Sequence, residues 1–221
     1  MIMASKVYLC DMCQSKPCRR GERDDFPPYC PGRQLSKEEA LGLYDQQDLD
    51  SLREAAWVEA NGYCHWTRCE EIMAYAVRCG YNHLGLAFCA GLSKEAAAYA
   101  GILRVNGFLV SSLCCKNCSV PKQEAGIPPS SMVKGGAEYE ASCNPVGQAH
   151  FLMEAGCQLA IILGLCVGHD SLFIKHFDGP VTVLSAKDRV TGNAPLAPLY
   201  TADSYYKRLR SFVKEQLSEN K

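Results

Sequence analysis

LAIILGLCVGHD, residues 159–170, is the stretch whose reading decides the fold. Leu159 to Leu165 form a continuous apolar run rather than an alternating one. A strand of that kind is buried on both faces, as in a parallel sheet covered by helices. The run ends at Cys166, and a helix is expected to begin about Asp170. Gly164 and Gly168 allow close backbone approach around that turn and leave N–H groups free at a helix start. A thiol on such a turn sits at the carboxyl edge of the sheet, where open parallel sheets bind ligands.

The same grammar repeats outward from this segment. LGLAF, residues 84–88, reads as a strand ending at Cys89, and residues 108–113 read as a strand running into Cys114 and Cys115. Residues 181–185 supply a fourth strand. Ser93 is expected to cap a helix running to about Asn106, and Asn144–Pro145 opens another in the cap-then-proline order. An amphipathic helix is expected over about Ala202 to Leu217. Upstream, Ser36 with Glu39 makes a capping box for a helix to about Asp45. A second helix spans about Asp48–Asn61, and Thr67 with Glu70 opens a third that runs to Cys79. Residues 116–142 are rich in Pro, Gly and Ser and read as a long loop, a length usually reserved for function. Alternating strand and helix argues an α/β fold. The right-handed crossover rule narrows it to a four-stranded parallel flavodoxin-like sheet of order 2-1-3-4, with helices on both faces. Strands 84–88 and 159–165 then flank the switch point.

Composition bounds the function. The chain has 221 residues and a net charge of −1, so bulk electrostatics point to neither nucleic acid nor an anionic membrane. The start, MIMASKVYLCDMCQ, carries no apolar signal region, and LAIILGLCVG is too short to span a bilayer. These features indicate a cytoplasmic protein. In a reducing compartment its fourteen cysteines read as ligands or reactive thiols rather than disulfides, a usage that also hints at an anaerobe.

The cysteines fall into two sets. Cys10, Cys13, Cys18 and Cys30 lie in a segment, residues 1–34, too poor in apolar residues to order itself. Their C-x2-C-x4-C-x11-C-P spacing suits a metal module, and it admits either zinc or a four-iron cluster. Residues 35–221 then form the α/β domain. The second set is scattered: Cys89, Cys115 and Cys166 end strands, and Cys143 precedes a helix cap, where the macrodipole favours a thiolate. The topology gathers these four over one crevice, as four ligands of a 4Fe–4S cluster or as three ligands that leave one iron open. Cys79 and Cys157, on helix faces, read as packed thiols. By strand alternation Cys114 and Cys115 face opposite ways, so only one of them enters the crevice. His169 is a candidate proton donor beside the cluster, with Asp170 fixing its tautomer or acting as an ordinary cap. Lys187 and Arg189, after the last strand, are placed to hold an anionic substrate.

GYCHWTRCEEI, LAFCAGL, CCK, SCNPVGQA, GLCVGHDSLFIKH and PVTVLSAKDRVTGN together resemble domain-of-unknown-function family 1847, cysteine-rich proteins of bacteria and archaea. The resemblance implies metal binding and carries over the amino-terminal cysteines, Cys64, Cys89, Cys115, Cys143 and Cys166. Cys69, Cys79 and Cys118 look particular to this chain. No reaction follows from the resemblance. The expected function is an iron–sulfur protein with desulfidase- or lyase-type chemistry, in which an open iron acts as a Lewis acid on an anionic or thiolated small molecule. Two alternatives stand beside it: a two-site electron carrier with a redox partner, and a zinc-stabilised small-molecule binding protein.

Overall fold

A computed structural model of the chain describes residues 6–213. The chain divides into two compact units, residues 1–57 and 58–221.

In the first unit, single 3-10 turns follow one another at Cys10–Met12, Pro17–Arg20, Arg23–Asp25 and Pro31–Arg33. Pro17 and Phe26 are its buried side chains up to that point. Helix α1 (Lys37–Leu41) opens on the expected capping box: Ser36 Oγ accepts the Glu39 N–H and the Glu39 carboxylate accepts the Ser36 N–H. It stops well before Asp45, because Gly42 and the turn after it end the helical bonding. Helix α2 (Gln46–Gly62) follows.

The second unit holds a four-stranded parallel sheet: β1 (His83–Phe88), β2 (Leu109–Cys114), β3 (Leu159–Leu163) and β4 (Val181–Ser185). Its order is β2-β1-β3-β4, as the sequence predicts. Two apolar clusters occupy its two faces. Leu84, Leu86, Leu159 and Ile161 pack with Ile72 and Ala76 of α3 (Arg68–Arg78) and Tyr99 and Leu103 of α4 (Ser93–Val105). Ala87, Ala160 and Ile162 pack on the other face with Ala149 and Leu152 of α5 (Pro145–Glu154) and Phe173 of α6 (His169–His176). Every residue of β3 is buried, which explains why its sequence is apolar without alternation. The edge strands β2 and β4 are partly exposed.

Three local expectations change. Ser93 lies inside α4 rather than at its cap; its hydroxyl donates to Ala90 O of the preceding 3-10 turn. The carboxyl-terminal amphipathic helix does not form over its first half. Residues 202–206 are turns and Lys207–Arg210 a 3-10 turn, after a short α7 (Ala197–Tyr200), and the remainder beyond 213 lies outside the described residues. The segment 116–142 is not a bare loop. Pro121 bridges Ala141, the Ser142 N–H donates to Val120 O at 2.7 Å, and the Lys122 N–H donates to Glu140 O at 3.0 Å.

Candidate functional site

The carboxyl edge of the sheet collects the four scattered cysteines. Cys89 follows β1, and its N–H donates to Leu163 O of β3. Cys115 follows β2 and is 3% exposed, with its N–H donating to Phe88 O of β1. Cys143 immediately precedes the cap of α5, and Cys166 lies in the turn between β3 and α6. The sulfur of Cys114, the alternative to Cys115, accepts the Lys116 N–H at 3.5 Å.

Cys115 and Cys143 are the closest pair, with sulfurs in hydrogen-bonding contact at 3.9 Å. The segment between them closes on itself like a clasp. The Pro121–Ala141 bridge joins its two limbs, Lys122 pairs with the Glu140 carboxylate, and the Asn144 N–H donates to Cys115 O at 2.8 Å. A 28-residue separation in sequence is thereby reduced to a thiol–thiol contact. The thiol–thiol contact with Cys115, assisted by the charges of Lys116 and His169, draws Cys143 down to about 5 from its ordinary value. The same contact, together with burial, drives Cys115 upward.

Cations surround these sulfurs. Arg189 donates from Nη2 to Cys166 Sγ at 3.0 Å, and its guanidinium also lies within electrostatic reach of Cys89 and Cys143. A Cβ placed on Gly91 would lie 3.9 Å from Lys187 Nζ and 4.0 Å from Cys89 Sγ, so ammonium and thiol flank one point of backbone. The Ala90 N–H donates to Cys115 Sγ at 3.4 Å. His169 stands at the start of α6, within electrostatic reach of Cys143. No hydrogen bond joins it to Asp170 among the described residues. Adjacent positions on a helix point apart, and the Asp170 carboxylate instead accepts the Ser171 N–H at 2.8 Å. Gly168, not Asp170, caps α6. The tautomer-fixing role of Asp170 is therefore without a contact.

Two further features of this edge escape a reading of the sequence. Gln148 of α5 is fully buried and donates from Nε2 to Phe88 O at 3.2 Å and Leu113 O at 2.7 Å. It ties together the strand ends that carry Cys89 and Cys115, while its Oε1 is buried without a partner. Asn117 and Asn144 make the second tie. Asn144 Nδ2 donates to Asn117 Oδ1, and Asn117 Nδ2 donates to Cys114 O and Asn144 O. Asn144 also accepts the Gly147 N–H as the expected helix cap. Glutamine in an apolar helix carries the one available signal, since a buried amide must find partners. Gly164 is required here: its φ is +63°, and a Cβ would stand 2.2 Å from Leu92 Cδ1.

The amino-terminal set also converges. Cys10, Cys13, Cys18 and Cys30 line one cavity of about 200 Å3 with Phe26, Tyr29 and two prolines. Partial desolvation and then the Cys13 thiol raise the Tyr29 hydroxyl. None of the fourteen cysteines, all among the described residues, is joined in a disulfide. Cys64, exposed, takes a left-handed φ of +59° just after α2 and lies apart from both clusters in sequence. Among the described residues, no three Cys, His, Asp or Glu side chains already stand in the arrangement of a single-ion shell, and no helix is long and apolar enough to cross a membrane.

Comparison with known proteins places the chain without assigning a reaction. The family described as "Protein of unknown function (DUF1847)" matches residues 30–184, which include Cys30 and the four sheet-edge cysteines but not Lys187 and Arg189. An uncharacterized protein of Methanocaldococcus jannaschii is 36% identical over 197 residues, 89% of this chain and 95% of that relative. No solved structure matches the chain.

Proposed function

The chain belongs to this family of proteins of unknown function, and from its own geometry we propose that it is a cysteine-ligated metal protein with its working centre at the sheet edge. The observation that carries the reading is the convergence of Cys89, Cys115, Cys143 and Cys166, from four separate elements, on the switch point of a parallel sheet. Thiols spread over four elements suit an iron–sulfur cluster, whose cysteines each bind a different iron. The N–H groups of Ala90 and Arg189 aimed at Cys115 and Cys166 are the hydrogen bonds to sulfur that tune such clusters. With three of these cysteines as ligands and the fourth a free thiol beside the open iron, a bound cluster would supply a Lewis acid for desulfidase- or lyase-type chemistry.

The chain's own residues do the rest. Lys187 and Arg189 bind an anionic or thiolated small molecule against the edge, and His169 holds or delivers a proton beside Cys143. The Cys115 contact, with the charges of Lys116 and His169, favours the ionised form of Cys143, the form that ligates metal. The cavity lined by Cys10, Cys13, Cys18 and Cys30 holds the second metal, zinc or a four-iron cluster, and orders a segment with little core of its own. A reducing, cytoplasmic setting suits both thiol sets.

A second reading has its own observation. Two thiolates on one tetrahedral zinc lie about 3.8 Å apart, as a bond of about 2.3 Å requires. Cys115 and Cys143, at 3.9 Å, match it. Anaerobic purification with iron, zinc and acid-labile sulfide analysis separates the readings. Iron and sulfide lost together in Cys143→Ser and Cys166→Ser support the cluster, and zinc without sulfide supports the single ion. A protein that takes up no metal at the sheet edge overturns both.

A further inference from the structure

We propose that Cys115 and Cys143 are a reversible dithiol–disulfide couple, so that oxidation of this pair disarms the sheet-edge site. The inference goes beyond the metal proposal and rests on it only for the last clause. The pairing itself stands on the geometry of the two thiols.

The two sulfurs already touch at 3.9 Å, and forming a bond of about 2.05 Å needs an approach of about 2 Å, within the reach of side-chain rotation. The backbones do not have to move together first. The Asn144 N–H to Cys115 O bond and the clasp at Pro121–Ala141 hold them side by side. Cys89 and Cys166 make no sulfur–sulfur contact among the described hydrogen bonds; Cys166 is occupied by Arg189.

Exposure divides the labour. Cys143 is partly exposed and Cys115 is 3% exposed, so a small-molecule disulfide reaches Cys143 first. Cys143 gives up its proton and its sulfur attacks one sulfur of the oxidant, breaking its S–S bond and releasing one thiolate. Cys115 then gives up its proton, its sulfur attacks the Cys143 sulfur, and the second half of the oxidant leaves as thiolate. Two protein thiols and one external disulfide become one protein disulfide and two external thiols, with both protons passing to the released thiolates. Two of the four thiolates of the centre are then unavailable to metal.

The test uses the full chain, metal-free and metal-loaded, exposed anaerobically to glutathione disulfide in glutathione buffers of graded ratio. Intact mass and non-reducing peptide mapping read the products; Lys116, Lys122 and Lys134 separate the two cysteines on digestion. The expected result for the metal-free chain is loss of two of the fourteen thiols and a Cys115–Cys143 cross-linked peptide, reversed by reductant. Cys115→Ser is expected to stop at a stable glutathione adduct on Cys143. The inference is overturned if wild type gives that stable adduct and no cross-link, or if Cys143 pairs with Cys89 or Cys166 instead. Mapping of the wild-type chain keeps the test decisive even where Cys115→Ser, a buried change, fails to fold. The metal-loaded sample keeps the two proposals apart. Cross-linking with release of one metal equivalent supports both. Cross-linking with full metal retention leaves the couple intact and removes Cys115 and Cys143 from the ligand set.

Discussion

Cys10, Cys13, Cys18 and Cys30 come from one short run of 3-10 turns, whereas Cys89, Cys115, Cys143 and Cys166 come from three strand ends and a helix start. The first group meets in a cavity walled by Phe26, Tyr29 and prolines, with little apolar interior behind it. The second meets above a sheet whose central strand is wholly buried and whose two faces each carry a packed cluster. The difference is one of cause and effect. A sheet with its own core fixes its thiols before any ligand arrives. A segment with almost no core depends on what its thiols hold, because bound metal then supplies folding free energy.

The sharpest way to break this contrast is to remove core from each unit. Phe173 has no exposure and stacks on Phe177 at a centroid distance of 5.7 Å. Phe173→Ala is expected to cost about 3–5 kcal/mol in the denaturant unfolding of the sheet unit. Phe26→Ala is expected to leave that transition where it was and to loosen only the amino-terminal unit. Equal losses of the main transition would show that the two units fold as one. The companion experiment deletes residues 1–34. One metal equivalent should disappear while far-ultraviolet circular dichroism still reports a folded α/β unit, and loss of both metal equivalents together would erase the distinction.

The contrast also explains what could be read in advance. The sheet order was legible because four apolar runs, three connecting segments and one handedness rule leave few topologies. The gathering of Cys89, Cys115 and Cys166 then follows from strand ends alone. The amino-terminal cysteines were legible from spacing. What stayed hidden depends on side-chain partners far apart in sequence. Nothing local says that Arg189 reaches Cys166, or that Gln148 ties the ends of β1 and β2. Asp170 shows the reverse error, since sequence adjacency to His169 suggested a contact that helix geometry forbids. The clasp in 116–142 was missed because its signals, a bridge at Pro121 and an acid–base pair 18 residues apart, are non-local.

Gln148 offers a finer test of whether the sheet holds its thiols ready. Gln148→Met keeps the volume but removes the amide from two strand-end carbonyls. The expected cost is about 1–3 kcal/mol, the penalty of leaving buried acceptors unpaired. It is offset in part by relief of the unpartnered Oε1. Thiol labelling of Cys115 should speed up in the variant if the tie positions that residue. An unchanged labelling rate, with stability lowered as expected, would make Gln148 a packing residue without influence on the site.

The smallest expected effect concerns the clasp that brings Cys115 to Cys143. Glu140 accepts from the Lys122 ammonium first, and then from the N–H groups of Lys134 at 3.1 Å and Val133 at 3.4 Å, and these bonds hold its carboxyl down to about 2 from an ordinary 4.5. A carboxyl depressed in the folded state stabilises that state fully above its unfolded value, and the contribution fades as pH falls. The clasp is therefore expected at full strength above about pH 4.5 and progressively released toward pH 2. Amide exchange at Val133 and Lys134, read by NMR on the metal-free chain, should lose protection across that window. Glu140→Gln should show reduced protection at every pH and no transition there. Because the clasp closes the segment between the two thiols, the same variant should form the Cys115–Cys143 cross-link more slowly at neutral pH, where the wild-type carboxylate is fully ionised. A transition centred on the ordinary carboxylate value, or one shared by Glu140→Gln, would mean that some other group latches the segment. In that case the main-chain bonds of the clasp, the asparagine pair and the Asn144 to Cys115 backbone bond hold the thiols together without help from the Glu140 carboxylate.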